Sequence, residues 1–265
     1  MIKLSISITS QILYRPVTVK VMLPYTLTTG KGPFRVLYAL HPAMENSGIF
    51  LEKLYLSEKV DKYKVAIVAP DLGNGYFINT PYEKQADFLQ TELIPVLCDM
   101  LPLSIRREDN MLLGISMGAF GAAHWALSCP EHFSKVALIS GVFDASLPVD
   151  ERALKSRELR PLVKLFSEKV MPQLMRDASG NVFPDADIRP LYAKAAAYGA
   201  PRFALWYGDK DYLSIDQSRH FSHQCELHGI KAKTYITPGA HNISYWQYTV
   251  NQAFDWLMVK NDFSC

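Results

Sequence analysis

Gly114-Ile115-Ser116-Met117-Gly118 is a G-x-S-x-G pentapeptide set between a buried apolar run, Met111–Ile115, and a small-residue stretch of helical length, MGAFGAAHWALS. A strand that turns this tightly into a helix holds its serine in a strained backbone conformation, and the two glycines leave room where the two backbones crowd. Ser116 Oγ then stands clear of the sheet. The helix that starts at Met117 points its free amides and positive dipole end at the same spot, which makes the Met117 N–H a predicted donor to a developing oxyanion. The chemistry implied is attack of an activated serine on a carbonyl.

A serine hydroxyl needs a base within hydrogen-bond reach, and the base needs a carboxylate to orient it. Of the seven histidines, His241 has the fitting context. It lies in Thr237-Pro238-Gly239-Ala240-His241-Asn242, after a strand at Lys233–Ile236 and before the last helix. That is a loop at a strand's carboxyl end, where sites of open α/β sheets collect. The order nucleophile, acid, histidine suits such an elbow. For the acid, Trp206-Tyr207-Gly208-Asp209-Lys210-Asp211-Tyr212-Leu213 follows another apolar strand and offers two carboxylates. Asp211 and Asp209, the latter nearer the strand end, are both candidates, with a turn contact as the structural role of Asp209; the preference for Asp211 comes from the resemblance described below.

These residues need a scaffold, and the hydrophobic pattern predicts one. From Lys3 to Leu23 apolar and polar residues alternate with a break at Arg15-Pro16, as in two antiparallel strands at a sheet edge. Phe34–His41, Val65–Ala69, Met111–Ile115, Val136–Ile139 and Phe203–Tyr207 are almost continuously apolar, the pattern of strands buried on both faces of a parallel sheet. Helical stretches at Phe50–Val60, Glu83–Met100, Met117–Ser128, Ser214–His228 and Ser244–Val259 alternate with them, so the fold class is α/β: a mostly parallel, doubly wound sheet with an antiparallel N-terminal edge. Between about 144 and 198 the alternation fails. There Leu159, Leu162, Val163, Phe166, Val170 and Leu174 recur at near-helical spacing, which predicts a helical, cap-like insertion within a single domain spanning 1–265. Residues 151–176 hold seven Lys/Arg against three Glu, a surplus that would suit an anionic substrate or simply form a solvated face.

The whole chain has 265 residues, 49% of them hydrophobic, and a formal net charge of +2, which excludes a disordered tail and a strongly basic nucleic-acid arm. Its four cysteines lack C-x-x-C pairing, so neither a disulfide framework nor a zinc ribbon is expected. The alternating N-terminus reads as a strand and not as a signal peptide, and no apolar run nears the ~18–20 residues that cross a bilayer. A cytoplasmic location is expected, with no nucleic-acid or membrane partner and no cofactor or metal. A homo-oligomer is compatible with the sequence. His220, His223, Cys225 and His228 crowd one helix without metalloprotease spacing. Asp71-Leu72-Gly73-Asn74-Gly75 lacks phosphate-cradle elements and is expected beside the active site, and Met117, Phe120, Tyr76 and Phe77 are candidates for either an acyl pocket or core packing.

Taken together the motifs resemble the esterase D family of α/β-hydrolases, particularly its bacterial tributyrin-esterase-like branch. The resemblance runs through Phe34–His41, Glu92-Leu93-Ile94-Pro95, Gly114–Gly121, Cys129-Pro130-Glu131-His132-Phe133, Ser140-Gly141, Gly208-x-x-Asp211-Tyr212-Leu213, Pro238-Gly239-x-His241 and Tyr245-Trp246. It implies Ser116 as nucleophile, His241 as base, Asp211 as orienting acid, and a short-chain acyl ester or thioester as the small-molecule substrate. It further implies that the second oxyanion amide belongs to Ala43. Two departures stand out. Pro42 replaces a glycine and brings no N–H, and Ala119 stands where the family often has another glycine. The expected activity is therefore that of a carboxylesterase working through an acyl-enzyme. A thioesterase of the S-formylglutathione hydrolase kind, an acyltransferase, and a non-catalytic binding module of the same fold are the alternatives.

Overall fold

The computed structural model describes residues 1–25, 32–144, 147, 150–157, 159–165, 175–176 and 179–259. Among the described residues eight strands form one sheet: β1 (Ile2–Thr9), β2 (Pro16–Leu23), β3 (Arg35–Leu40), β4 (Val65–Pro70), β5 (Asn110–Ile115), β6 (Lys135–Ile139), β7 (Arg202–Gly208) and β8 (Ala232–Thr237). Their order is β1-β2-β4-β3-β5-β6-β7-β8, with β1, β2 and the β2–β4 pairing antiparallel and every other pairing parallel. The sheet thus has the predicted antiparallel edge, and the parallel strands from β4 to β7 are buried on both faces.

Alternation along each central strand feeds two cores. Val36, Tyr38 and Leu40 of β3 join Leu112, Val136, Leu138, Phe203 and Leu205 on one face, packed against Phe88, Leu93, Trp125, Tyr192 and Phe221 from the helices there. Leu37, Ala39, Met111, Leu113, Ile115, Ile139 and Trp206 face the other way, toward Phe50, Val60, Val250, Phe254 and Leu257. The helix Met117–Ser128 is buried from Met117 to Leu127, and accordingly is apolar all round instead of striped. Helix Arg189–Tyr198 buries Tyr192 and Ala195 in the same core as Trp125 and so covers the elbow helix from outside.

Two helices differ from the periodicity reading. The predicted Phe50–Val60 helix is two short ones, Ile49–Glu52 and Ser57–Tyr63, because Tyr55 takes a left-handed φ of 52° that no continuous helix tolerates. The predicted Glu83–Met100 helix starts at Gln85 and widens to a π-helix over Phe88–Leu93 before resuming at Ile94–Met100. Pro95 explains the widening, since its ring would clash with the carbonyl four residues back in a regular helix. Glu92, on that widened turn, accepts from Ser10 Oγ at 2.6 Å and from the Gln11 amide at 2.8 Å, tying the β1–β2 turn to the helix layer.

Between β6 and β7 the described α-helices are Glu151–Lys155, Arg160–Leu165 and Arg189–Tyr198. Ala153, Leu159 and Val163 form a small apolar cluster against Tyr212 and Leu213. Phe166, Val170 and Leu174, and the side chain of Leu162, lie outside the described residues.

Candidate active site

Ser116 sits between the last residue of β5 and the first of the helix Met117–Ser128, with φ 53° and ψ −115°. This conformation is costly for a residue with a Cβ and persists only where the surroundings enforce it. They do so by contact. A Cβ on Gly114 would lie 2.1 Å from the Gly118 carbonyl oxygen, and one on Gly118 would lie 2.0 Å from the Leu40 carbonyl oxygen and 2.7 Å from that of His41. The elbow helix is therefore pressed against both its own strand and the end of β3. The Ser116 amide donates to the Ile139 carbonyl at 2.8 Å, which fixes the turn to the neighbouring strand.

His241 reaches Ser116 from the loop after β8. Its Nε2 is 2.9 Å from Ser116 Oγ, and its Nδ1 is 3.0 Å from Asp211 Oδ1. A carboxylate can only accept, so Nδ1 carries the proton and Nε2 is left to receive one from the serine. Both His241 and Asp211 are buried. Burial alone pushes the Asp211 carboxyl up, but the His241 charge and hydrogen bond, with the Ser140 and Ser214 hydroxyls acting in the same direction, hold it below the usual carboxylate range. The Ser214 amide adds a hydrogen bond to Oδ1 at 3.2 Å. Asp209 is exposed, and its Oδ1 accepts from the Gly239 amide at 3.0 Å. It pins the histidine loop, and among the described residues the hydrogen bond to His241 Nδ1 is made by Asp211 instead.

The loop after β3 runs beside the elbow. His41 is fully buried, and its Nδ1 is 2.9 Å from the Pro42 carbonyl oxygen, so that nitrogen is the donor. Burial lowers the His41 pKa and keeps the ring neutral, a structural pin. The Met44 amide donates to Asn74 Oδ1 at 2.8 Å, and Met44 has φ 63°. The Asp71–Gly75 loop thus braces the segment that carries Ala43, as its place after a buried strand suggests. Among the described residues, neither the Ala43 nor the Met117 amide donates a hydrogen bond within the chain. Ala119 is fully buried, its methyl absorbed by the core.

Other candidates resolve as packing. Phe77 is buried with its ring against Gly121 and edge-on to His41 at 5.2 Å, and Tyr76 meets Phe120 edge-on at 5.9 Å. Both have left-handed φ, 60° for Tyr76 and 61° for Phe77. On the histidine-rich helix, His220 lies 3.7 Å from Asp144 Oδ2 and His228 stacks on Tyr192. Among the described residues, the ligand-type atoms close enough together for a metal are those of Cys129, Glu131 and His132, within 4.8 Å of one another beyond the far end of the elbow helix. Sequence reasoning passed over two residues that touch this machinery: Ser140, just after β6, and Trp246, in the last helix. Each belongs to a noted motif, but nothing in the local pattern marks it as a neighbour of the acid and the base.

A buried carboxylate, an imidazole and a serine at a strained strand-to-helix turn, carried on this sheet order, define a serine hydrolase of α/β-hydrolase fold. Residues 10–257 match the family described as "Putative esterase", and the chain belongs to that esterase family. An acetyl esterase from Caldicellulosiruptor saccharolyticus is 22% identical over 236 residues, spanning 86% of this chain and 85% of that protein. Among solved structures, the fluorophosphonate-binding serine hydrolase FphF of Staphylococcus aureus superposes with a TM-score of 0.79 at 22% identity, covering 98% of this chain and 99% of its own. The S-formylglutathione hydrolase FrmB of the same organism gives 0.78 at 22% identity, covering 97% and 99%. At that identity these likenesses are of fold.

Proposed function

We propose that Ser116, His241 and Asp211 are the catalytic triad of a serine carboxylesterase, with the Met117 and Ala43 amides as its oxyanion hole. The observation that carries this reading is the continuous chain from Ser116 Oγ through His241 to a buried Asp211, 2.9 Å and 3.0 Å at its two links. Ser116 Oγ attacks the ester carbonyl while His241 Nε2 takes its proton. The amides hold the charge that develops on the carbonyl oxygen. Collapse expels the alcohol, protonated by His241, and leaves an acyl-enzyme. Water then attacks the acyl carbon, losing its proton to His241, and the acid departs as Ser116 regains its hydrogen.

The substrate is a small short-chain acyl ester. The tributyrin-esterase-like pattern of the esterase D motifs and the acetyl esterase relative support that choice. Helices Glu151–Lys155 and Arg160–Leu165 act as a cap over the acid loop: their apolar cluster rests on Tyr212 and Leu213, and the Arg152 guanidinium lies 4.6 Å from the centre of the Tyr212 ring. Arg152 is paired with Asp150 and Lys155 with Glu151, so these two cations of the basic segment are already engaged by neighbouring carboxylates. The free thiols of Cys98, Cys129 and Cys225 support a reducing, cytoplasmic setting, and no helix among the described residues is long and apolar enough to cross a membrane.

A second reading, hydrolysis of a glutathione thioester, is favoured by the likeness to FrmB over nearly the whole of both chains. Fluorophosphonate labelling that disappears in Ser116→Ala is the expected result, together with a rate maximum between acetate and butyrate across p-nitrophenyl esters. Label retained by Ser116→Ala overturns the triad, and flat background rates overturn the esterase. A higher kcat/KM for S-formylglutathione than for any ester would favour the thioester reading.

A further inference from the structure

One strand over from the nucleophile, the chain repeats its sharp exit. Ser140, directly after β6, has φ 53°, the same as Ser116, and its amide donates to the Trp206 carbonyl at 2.8 Å just as the Ser116 amide donates to Ile139. Ser140 is completely buried. A glycine would hold this left-handed backbone without strain, so a serine there, unlike a glycine, has to justify its side chain.

That side chain joins the triad to the last helix. Ser140 Oγ accepts a hydrogen bond from Trp246 Nε1 at 3.1 Å, and the Trp246 ring stands edge-on to the His241 ring, centroids 5.4 Å apart at 84°. With its acceptor side occupied by the indole, the Ser140 hydroxyl still has its own proton to place, and burial removes water as the taker. Asp211 offers the matching vacancy. Its Oδ1 is engaged by His241 and the Ser214 amide, while Oδ2 is shut off from solvent and has no well-formed partner among the described residues. A buried carboxylate oxygen without a donor is costly, and a donor polarised by a second hydrogen bond is a strong one.

We propose that Ser140 is a positioning residue, its hydroxyl aligned by the Trp246 indole and donating to Asp211 Oδ2. Trp246 then acts twice, through Ser140 on the carboxylate and through its ring edge on the imidazole, so that Asp211 and His241 are held against rotation from one side chain. The inference rests on the triad reading of Ser116, His241 and Asp211.

The decisive variants are Ser140→Gly, which removes the hydroxyl while relaxing the backbone, and Trp246→Phe, which keeps an aromatic edge on His241 but loses the N–H. In Ser140→Gly, kcat falls about tenfold with KM unchanged, the scale of one hydrogen bond to a charged group. The acid limb of the kcat/KM profile moves to higher pH, because a carboxylate with one donor fewer concentrates more charge on His241 and raises its basicity. Trp246→Phe shifts the limb in the same direction by less, and the double variant is no worse than Ser140→Gly, since both remove one link. A residue that only packed would lower Tm and leave the limb in place. Retention of wild-type kcat and acid limb by Ser140→Gly overturns the proposal, as does finding the whole effect in Ser214→Ala instead. Fluorophosphonate labelling separates the two levels: label retained by Ser116→Ala removes the triad and this proposal with it, whereas label lost there beside a wild-type Ser140→Gly removes this proposal alone.

Discussion

Replacing Gly118 by alanine tests whether the elbow is held by backbone contact. The added Cβ would meet the Leu40 carbonyl oxygen at 2.0 Å, the Leu40 carbonyl carbon at 2.5 Å and the His41 carbonyl oxygen at 2.7 Å. Ordinary carbon–oxygen contact begins near ~3.3 Å, so more than about 1 Å of separation has to be found. All three obstacles are main-chain atoms at the end of β3, and none can rotate away. The helix, the β3 end or both must shift, at about 1–3 kcal/mol or more for overpacking of this kind. For a domain of this size each kcal/mol lowers Tm by about 2–4 °C. The same shift displaces the Met117 amide and the 42–44 loop relative to Ser116 Oγ, and a misplacement of about 1 Å costs on the order of 10²-fold in rate. Steady-state hydrolysis of p-nitrophenyl acetate, the rate constant of fluorophosphonate labelling and a thermal melt would be measured on Gly118→Ala beside Gly73→Ala. Gly73 has φ +60° with nothing within 4 Å of its would-be Cβ. Its variant is expected to lose only about 1 kcal/mol through strain and to keep its activity. Gly118→Ala with kcat/KM within twofold of wild type and an unchanged Tm would refute the reasoning.

The two carboxylates of the acid loop separate by function. Asp211→Asn is expected to lower kcat by about 10³–10⁴ through the wrong imidazole tautomer. Asp209→Asn, exposed and bonded only to the loop amide of Gly239, should cost less than about tenfold, and equal losses would reopen the choice of acid. Lys135 gives stability a pH dependence: burial, helped by Arg202 and Arg35, pushes its ammonium down to about 8, while its Nζ donates to the Trp256, Leu257 and Val259 carbonyls at the end of the last helix. Between its ordinary value and about 8 the unfolded chain holds the proton that the folded chain gives up, so stability falls as pH falls through that window and the loss is complete below it. The Tm of wild type relative to Lys135→Met should therefore rise from pH 7.5 to pH 10, and a flat difference would discard this account.

What the sequence disclosed depended on whether a signal was local. The apolar runs of the central strands and the G-x-S-x-G turn are local, and so were legible: a strand buried on both faces has no polar positions, and an elbow needs its glycines at fixed offsets. The loops that carry His241 and Asp211 stood out because strand ends collect sites, whereas the choice of Asp211 over Asp209 rests on the family resemblance. Tyr55 and the π turn before Pro95 were not legible, since a left-handed tyrosine leaves the hydrophobic period intact. Ser140 and Trp246 lie 106 residues apart. Their meeting is a product of strand order and last-helix packing, which no window of sequence contains.

Pro42 raises the remaining question of how the proposed oxyanion loop keeps its shape with proline where the family it resembles has glycine. Proline removes one N–H, but that donor belongs to residue 42, and the amide proposed for the oxyanion is the next one. The path of the loop is set elsewhere. The His41 imidazole holds the Pro42 carbonyl from inside the core, Asn74 holds the Met44 amide from the neighbouring loop, and Met44 turns the chain with its left-handed φ of 63°. Ala43 lies between two fixed points, with its N–H left over. Because the Gly118 Cα abuts the Leu40 and His41 carbonyls, the start of this loop and the first turn of the elbow helix are in direct backbone contact. The two amides proposed for the oxyanion are thus carried by one packed unit, and the stiffness that proline adds at position 42 serves that unit instead of opposing it.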